Sequence, residues 1–209
     1  MHLKHMRPYQ LRRATADNWP LLVPAGCVET HGPHMAISHD TIIVEEICDR
    51  VAERIDAAIA PSFDYGPTGY ALGGPEDGTI DPDYAAFSAY VKSILRNFLE
   101  MKFQRVYVII MHQGMEAPLA LAFKKAAAEL SFETALERYP RGWWGEEKSM
   151  KAARDDDALG RIHVHPMILP AASPPAGGDH AGYNETSFLM ATRPELVEQG
   201  RLGDDAPWY

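Results

Sequence analysis

The sequence predicts a three-layer α/β/α domain in which helices cover both faces of a mostly parallel central sheet. Short apolar runs alternate along the chain with longer segments of helical period, which is typical of βαβ units and of an α/β fold. The chain has 209 residues, of which 46% are hydrophobic, so it is long enough to bury one sizeable core. We therefore expect a single domain that covers residues 1–209.

Four apolar runs predict the strands of this sheet. The third run consists almost entirely of β-branched and other apolar residues, which predicts a buried central strand. The four predicted strands lie at residues 21–25, 57–60, 106–111 and 163–170.

Segments of helical period follow these strands. In the first segment, apolar residues recur at i, i+3, i+4 and i+7, which predicts a helix that packs on the sheet. We expect the helices at residues 41–55, 84–101, 116–130 and 185–191. A glycine-rich surface loop is expected at 66–78, and an irregular excursion or lid with one short helix at 139–160.

Charge and composition exclude several function classes. The formal net charge is −9, which disfavours nucleic acid and anionic membranes as partners, because such binding relies on a positive field. With only Cys27 and Cys48, a disulfide framework and a zinc ribbon are excluded, and a cytoplasmic location is expected. The N-terminus lacks the apolar region of a signal peptide, and no run approaches the ~18 apolar residues of a membrane span.

A cluster of metal-binding residue types follows the first predicted strand. Glu29 and His31 lie just past its end, and Asp40 follows nine residues after His31. Ligands of open parallel sheets bind at the carboxyl ends of the strands, and in an extended chain Glu29 and His31 point to the same side. Carboxylates with imidazole suit Zn²⁺, Mn²⁺ or Fe²⁺. Taken alone, however, residues in such a pattern more often lie in a solvated loop, and Asp40 would then be the N-cap of a helix.

Two further clusters favour a functional site over that simpler interpretation. His112 lies directly after the third predicted strand, at the edge of the sheet where Glu29 and His31 emerge. A later loop, which leads into the last predicted helix, offers His180 and Glu185. Three separate segments thus present ligand-type side chains that the fold can bring to one place.

Several short motifs occur in a fixed order along the chain. Residues 24–40 match the pattern P-x-G-x-x-E-x-H-G-P-H, followed by an aspartate, and a Gly-Thr pair stands at 78–79. Residues 180–187 contain the pattern H-A-G-x-x-E-T-S, and P-E-L-V follows at 194–197. In order and spacing this combination resembles the creatininase family of metal-dependent amidohydrolases.

The resemblance implies a creatininase-like fold and a hydrolase activity in which a metal activates the attacking water. The bond cleaved would be the C–N amide bond of a small polar molecule, either a cyclic amide or a formamide. The resemblance also implies a homo-oligomer, often a hexamer. His180 would be the proton shuttle, and Glu185 either a further ligand or a base beside the metal. One or two divalent ions (Zn, Mn or Fe) would be held by Glu29, His31, Asp40 and His112, with Asp40 as the bridge.

The chain departs from the family pattern after the third strand. Gly114 occupies the position where the family carries a glutamate two residues after the histidine, so one tightly held ion is the simpler expectation. Glu116 would share a helical face with His112 if a helix began there. We favour Glu185 as the substitute, because Glu116 is more simply an exposed carboxylate in the first turn of a helix.

Other residues near these motifs receive simpler interpretations. Adjacent side chains in an extended chain rarely face one ion, so His39 is expected to support the site from outside the ligand set. Cys27 is expected to pack as a small apolar residue. The pair His163 and His165 places two imidazoles on one face of a strand, but nothing nearby completes a metal site.

Alternatives remain open at the level of sequence. The same architecture could act on a different bond, by opening the ring of a cyclic polyol ketone or a lactone. The altered segment after the third strand could instead mark a relative that binds a metal or ligand without turnover. Trp143 and Trp144 would either form a lid wall over a small ring or bury an interface.

Overall fold

The structure, a computed structural model, describes residues 1–69, 73–138, 145–156, 160–167 and 180–203. Within those ranges the strands are β1 (Leu21–Ala25), β2 (Ala58–Ile59), β3 (Val106–Ile110) and β4 (Ile162–Pro166). They form one parallel sheet in the order β2-β1-β3-β4. The predicted strands are thus present, and β1 and β3 occupy the two central positions.

Six α-helices accompany the sheet in the described part of the chain. None of them combines the length and the apolar content needed to span a membrane. The helices are α1 (Pro8–Ala16), α2 (His39–Ala52), α3 (Tyr84–Glu100), α4 (Pro118–Arg138), α5 (Glu147–Asp156) and α6 (Tyr183–Thr192).

The alternation of side chains along β1 defines the layers. Val23 belongs to a large buried cluster that also contains Val91 of α3 and Phe123 of α4. Leu22 points to the opposite face, where it lies in a second cluster with Cys48 of α2. A third buried cluster joins α2 to α6 on this same side. Helices therefore cover both faces of the sheet, and the predicted three-layer α/β/α fold is confirmed.

Helices α1 and α4 differ most from the sequence expectation, whereas α2 and α6 each begin two residues earlier than expected. Helix α1 was not predicted, because Ala14 is its one buried residue and no apolar stripe marks it. Helix α4 begins at Pro118, two residues later than expected, since the fixed φ of proline suits the first turn of a helix. It also continues eight residues beyond Leu130, alongside α3, where Lys92 pairs with Glu133 at 2.8 Å.

The register between β1 and β3 brings two candidate segments side by side. Ala25 pairs with Ile110, and the backbone N–H of Met111 donates to the Ala25 carbonyl with an N···O distance of 3.1 Å. Cys27 and His112 each lie two residues beyond this pair. Because the strands are parallel, both segments leave the sheet at its carboxyl edge, where open α/β sheets bind ligands.

A close approach between the end of β1 and the start of α2 fixes the position of Asp40. A Cβ atom on Gly26 would lie 2.5 Å from the backbone nitrogen of Thr41. The Thr41 hydroxyl donates to the Cys27 carbonyl with an O···O distance of 3.4 Å. Glycine at position 26 leaves room for this packing, which sets the first turn of α2 against the segment that follows β1.

We predict that Gly26→Ala destabilises the protein by about 1–3 kcal/mol, the usual cost of overpacking a tight contact, and displaces the start of α2. Urea unfolding followed by circular dichroism measures this change. Gly200→Ala is the matched control, because a Cβ at Gly200 would meet nothing within 4 Å. Equal stability of the two variants would contradict the proposed close contact.

Candidate metal centre

Asp40 lies at the centre of the candidate site, in the first turn of α2, with 3% of its surface exposed. Its Oδ2 atom lies 2.8 Å from Nδ1 of His112 and 3.2 Å from Sγ of Cys27. Its Oδ1 atom lies 3.3 Å from Nε2 of His31 and also 3.3 Å from Nδ1 of His39. The two oxygens of one carboxylate therefore face two different sets of side chains.

The first donor group surrounds Oδ2 of Asp40 and comprises Cys27, Glu29, Asp40 and His112. All four residues are buried, and each offers one donor atom within 4.8 Å of the others. Glu29 Oε2 lies 3.6 Å from Nδ1 of His112. This group joins the segments that follow β1 and β3 to the start of α2.

The second donor group surrounds Oδ1 of Asp40 and comprises His31, His39, Asp40 and Glu185. Nε2 of His31 lies 3.8 Å from Oε2 of Glu185 in the first turn of α6. His39 was expected to lie outside the ligand set because it is adjacent to Asp40. Adjacent side chains point apart in an extended chain, but both residues lie in the first turn of α2 and both face the group.

A third donor group adds the residue that the family resemblance makes the proton shuttle. It comprises Glu29, His31 and His180. Nε2 of His180 donates to the Thr30 carbonyl at 2.7 Å, while Nδ1 lies 3.9 Å from Oε2 of Glu29. The rings of His180 and His31 are 4.4 Å apart. The structure therefore brings Glu29, His31, Asp40, His112, His180 and Glu185 together at one edge of the sheet.

Contacts between the sequence motifs hold the loop that carries Glu29 and His31. The backbone N–H of Thr30 donates to the hydroxyl of Thr79, from the Gly-Thr motif, at 3.1 Å. His34 forms a hydrogen bond of 2.9 Å with the hydroxyl of Thr186 in α6. Met35 forms an antiparallel bridge with Val197 of the P-E-L-V tail. The motifs, although distant along the chain, thus pack against one another around the site.

The donor atoms fit a divalent cation. Nδ1 of His31 donates to the Glu29 carbonyl at 3.0 Å, so Nε2 is the nitrogen that would give a lone pair to a cation when it is not protonated. This buried atom makes no hydrogen bond with the described residues. Oε1 of Glu29 is likewise buried without a hydrogen-bond partner among them. Buried polar atoms of this kind are costly unless something satisfies them. Imidazole and carboxylate donors are those that Zn²⁺, Mn²⁺ and Fe²⁺ accept.

Burial shifts the pKa values of the acidic side chains in the site. Burial raises the pKa of Glu29 to about 7, and it also raises the pKa of Glu185. Burial, together with the adjacent carboxylates of Asp40 and Glu29, raises the pKa of the Cys27 thiol. Burial alone would raise the pKa of Asp40, but the hydrogen bond from His112 and the two other adjacent imidazoles hold it well below its usual range. Asp40 therefore stays charged, whereas the charged forms of Glu29, Glu185 and Cys27 need a positive charge nearby.

The pKa values of two histidines in the site, His31 and His180, shift in opposite directions. Burial alone would lower the pKa of His31, but the adjacent Asp40 and Glu185 raise it to about 9. Burial and the neighbouring His31 lower the pKa of His180 to about 4. His180 is therefore neutral near pH 7, and the hydrogen bond from Nε2 to Thr30 makes Nδ1 its basic nitrogen.

Several other sequence candidates lie away from the donor groups. Glu116 is exposed, and α4 begins at Pro118, so Glu116 does not share a helix with His112. His163 and His165 stack on Tyr107, with ring centroids 4.9 and 5.9 Å apart. Neither histidine belongs to a possible metal-binding group within the described ranges. Trp143 and Trp144 lie outside the described residues.

Sequence reasoning missed two members of the donor groups. Cys27 was expected to pack as a small apolar residue, but its sulfur contacts Asp40 and His112. Its position two residues after the end of β1, matched by His112 two residues after the end of β3, is a signal that could have identified it. His39 could have been identified by placing the start of α2 at its own position.

Comparison with known proteins identifies the family. The family model described as "Creatininase: Creatinine amidohydrolase" matches residues 4–209. The chain belongs to the creatininase family. The resemblance drawn from the motifs is thereby confirmed.

The relatives of this family member are hydrolases by name. Creatinine amidohydrolase of Pseudomonas putida is 27% identical over 96% of the chain and 74% of its own length. A 3-dehydro-scyllo-inosose hydrolase of Thermotoga maritima is 24% identical, over 99% of the chain and 61% of the relative. A mycofactocin precursor peptide peptidase of Mycolicibacterium smegmatis is 28% identical, over 90% of the chain and 64% of the relative. The chain thus spans less than two thirds of the length of these last two relatives.

Solved creatininase structures share the fold. A crystal structure of creatinine amidohydrolase superposes with a TM-score of 0.71 at 22% identity, over 96% of the chain and 75% of that structure. A structure titled as a Zn-Zn type mutant creatininase superposes with a TM-score of 0.71 at 23% identity, over 96% of the chain and 75% of that structure. A structure titled as creatininase Mn superposes with a TM-score of 0.70 at 24% identity, over 96% of the chain and 76% of that structure. Metal-bound forms therefore occur among the structural neighbours of this family member.

We predict that Asp40→Asn weakens zinc binding by more than about a hundredfold, since even the hydrogen-bond partners of metal ligands contribute about 10–100-fold to affinity. Asparagine keeps the size of the side chain but removes the charge that faces both donor groups. Competition with a fluorescent zinc chelator measures the affinity. Asp17→Asn is the matched control, because Asp17 lies on the surface and pairs with Arg13. An unchanged zinc affinity in Asp40→Asn would show that Asp40 is not a ligand.

Proposed function

We propose that this family member is a metal-dependent hydrolase that cleaves a C–N amide bond, in a cyclic amide or a formamide of a small polar molecule. The strongest support is the position of Asp40, whose two oxygens face two buried groups of donor atoms. A divalent cation in such a site lowers the pKa of water and polarises a carbonyl oxygen. In this proposal Glu29, His31, Asp40, His112 and Glu185 hold one or two ions (Zn, Mn or Fe).

The second donor group supports a second ion despite Gly114. Four residues contribute to it without any side chain from position 114. Glu185 supplies the carboxylate, since its Oε2 lies 3.8 Å from Nε2 of His31. The backbone N–H of Ala181 donates to the same Oε2 atom at 2.7 Å and fixes its orientation. Glu185 therefore substitutes for the missing glutamate in this proposal, and Glu116 does not.

In the proposed reaction, His180 transfers the proton. Its neutral imidazole can accept a proton at Nδ1, beside Glu29, and then give that proton to the leaving nitrogen of the amide. The hydrogen bond from Nε2 to the Thr30 carbonyl keeps the ring in this orientation. The ring is neutral near pH 7, because its pKa is lowered to about 4, so it would hold a proton only briefly and release it readily to the leaving nitrogen.

Access to the site is one-sided. The side chains of His180 and Glu185 are 22% and 19% exposed, whereas those of His31 and Glu29 are only 1% and 2% exposed. A substrate would therefore approach beside His180 and Glu185, with the other donors behind the reacting carbon. The limited exposure favours a small molecule over a macromolecule as the substrate.

The names of the relatives support amide cleavage. One is an amidohydrolase and another a peptidase, and both classes cleave amide bonds. A related solved structure is titled as a mutant creatininase complexed with creatine, a small molecule. The homo-oligomer that the motif resemblance implies, a hexamer in many relatives, stays a prediction.

A second candidate reaction is favoured by one relative. The Thermotoga maritima protein is named a 3-dehydro-scyllo-inosose hydrolase, so hydrolysis of a cyclic polyol ketone is the alternative. Purified, metal-loaded protein assayed against cyclic amides, formamides, lactones and cyclic polyol ketones separates the two. Turnover confined to the ketones would overturn the amide proposal, and no turnover on any class would favour a non-catalytic relative.

We predict that the purified protein contains at least about one equivalent of zinc, manganese or iron, measured by elemental analysis. Removing a ligand present at 100 times its Kd costs about 2.7 kcal/mol. Chelation should therefore lower Tm by about 5–10 °C in a chain of this size, and returning zinc should restore it. Less than about half an equivalent of metal, combined with no loss of thermal stability on chelation, is the result that would reject a metal-dependent enzyme.

We predict that His180→Ala retains its metal and loses activity, with kcat/KM lower by about 10²–10⁴-fold, the usual contribution of a proton-transfer group. Metal content and turnover are measured on the same sample. His163→Ala is the control, because His163 stacks on Tyr107 in the sheet and belongs to none of the three donor groups. If His180→Ala lost metal as well, His180 would be a ligand and the assignment as a shuttle would be wrong.

A further inference from the structure

We propose that Cys27 is a metal ligand, bound as a thiolate, in the first donor group. This inference rests on the proposed function, since it assumes that the carboxyl edge of the sheet binds a divalent cation. It adds a sulfur donor to the ligand set and thereby a preference among metals. A set of cysteine, glutamate, aspartate and histidine favours zinc, or another ion that accepts sulfur, over manganese.

The register of the sheet directs Cys27 towards the site. Cys27 and His112 are each two residues beyond the paired positions Ala25 and Ile110 of β1 and β3. They are therefore neighbours across the two central strands, at the edge where Asp40 enters from α2. Sγ of Cys27 lies 3.3 Å from Nδ1 of His112 and 3.2 Å from Oδ2 of Asp40.

The distances between donor atoms suit a single ion. Ligand bonds of about 2.0–2.3 Å in a tetrahedral zinc site place the donor atoms about 3.3–3.8 Å from one another. The pairs from Sγ of Cys27 to His112 Nδ1 and from Glu29 Oε2 to His112 Nδ1 measure 3.3 and 3.6 Å. The pair from Cys27 to Asp40 is 3.2 Å. The pair from Asp40 Oδ2 to His112 Nδ1 is shorter, at 2.8 Å, so binding of an ion would have to separate these two side chains by about 0.5 Å.

A second, independent observation points to a ligand at this place. Glu29 is 2% exposed, and its Oε1 atom is buried with no hydrogen-bond partner in the described part of the chain. Its other oxygen already belongs to the first donor group. This carboxylate is buried, and it lies beside a sulfur, an imidazole and a second carboxylate. A carboxylate in such a place, with one oxygen lacking a hydrogen-bond partner, needs positive charge nearby.

The other cysteine, Cys48, packs among apolar side chains and serves as a comparison for Cys27. Cys48 is fully buried in α2, in a cluster with Leu22, Ala57 and Ile59. It belongs to none of the possible metal-binding groups of the described residues. Cys27, in contrast, contacts a carboxylate and an imidazole. The chain thus offers two buried cysteines, of which one faces donor atoms and one faces hydrocarbon.

The binding step is a simple exchange. The Cys27 thiol loses its proton to solvent as the sulfur–metal bond forms, and no electron is transferred. Thiolate is a softer donor than carboxylate or water, so it stabilises zinc or cobalt more than manganese. Replacing the sulfur by a hydroxyl should therefore weaken zinc binding more than manganese binding.

The test is cobalt substitution of the full chain. Co²⁺ titrated into metal-free protein should give ligand-field bands in the visible region and a sulfur-to-cobalt charge-transfer band in the near ultraviolet. Cys27→Ser and Cys27→Ala should lose the charge-transfer band while retaining ligand-field bands from the remaining donors. Cys48→Ala is the matched control and should keep both. Competition titrations should show zinc affinity more than about tenfold lower in Cys27→Ser, with a smaller change for manganese.

The outcomes separate this inference from the proposed function. Ligand-field bands without a charge-transfer band in the wild-type protein would overturn the role of Cys27 and leave the metal site intact. A charge-transfer band that is lost in Cys48→Ala and retained in both Cys27 variants would show that the bound sulfur belongs to Cys48. That result would also overturn the role of Cys27. Failure of the wild-type protein to bind cobalt or zinc would reject the metal-dependent function and the thiolate ligand together.

Discussion

The structure of the site depends on one constraint, the burial of negative charge at the meeting point of two strands and two helices. Asp40 is nearly inaccessible to water, and Glu29 and Glu185 lie in the same donor groups. Like charges in such a place repel one another, and their desolvation is expensive unless positive charge is present. Histidine side chains supply part of that charge, and a divalent cation would supply the rest.

The fold satisfies the geometry of this constraint with few elements. Parallel pairing of β1 with β3 places Cys27 beside His112, and the close contact at Gly26 sets the first turn of α2 against them. The last helix then brings Glu185 to the opposite oxygen of Asp40. The apolar clusters on the two faces of the sheet pack these elements together, and this packing holds the donor atoms close to one another.

Much of this arrangement could be predicted from local sequence. Apolar runs and helical periodicity locate the strands and the main helices, because these elements bury continuous stripes. Glu29 and His112 could be identified since strand ends in parallel sheets are where ligands bind. Helix α1 could not, because it buries little and therefore has no apolar stripe.

Two residues of the donor groups, Cys27 and His39, were not predicted from the sequence, for different reasons. Cys27 meets His112 only through the register of β1 and β3, 85 positions apart along the chain, and periodicity carries no information on register. His39 was excluded by treating it and its neighbour as extended, although α2 already begins at His39. A shift of two residues in one helix boundary changes the direction in which the His39 side chain points, because helical and extended segments direct adjacent side chains differently.

The most direct measurement of the central claim is an anomalous difference map of a zinc-soaked crystal, recorded on both sides of the zinc absorption edge. We expect a peak at a bonding distance of about 2.0–2.2 Å from an oxygen of Asp40, with His112 or His31 as a further ligand. A second peak on the other oxygen would establish a pair of ions. No peak at Asp40, or a peak bound by other residues elsewhere on the chain, would contradict the account.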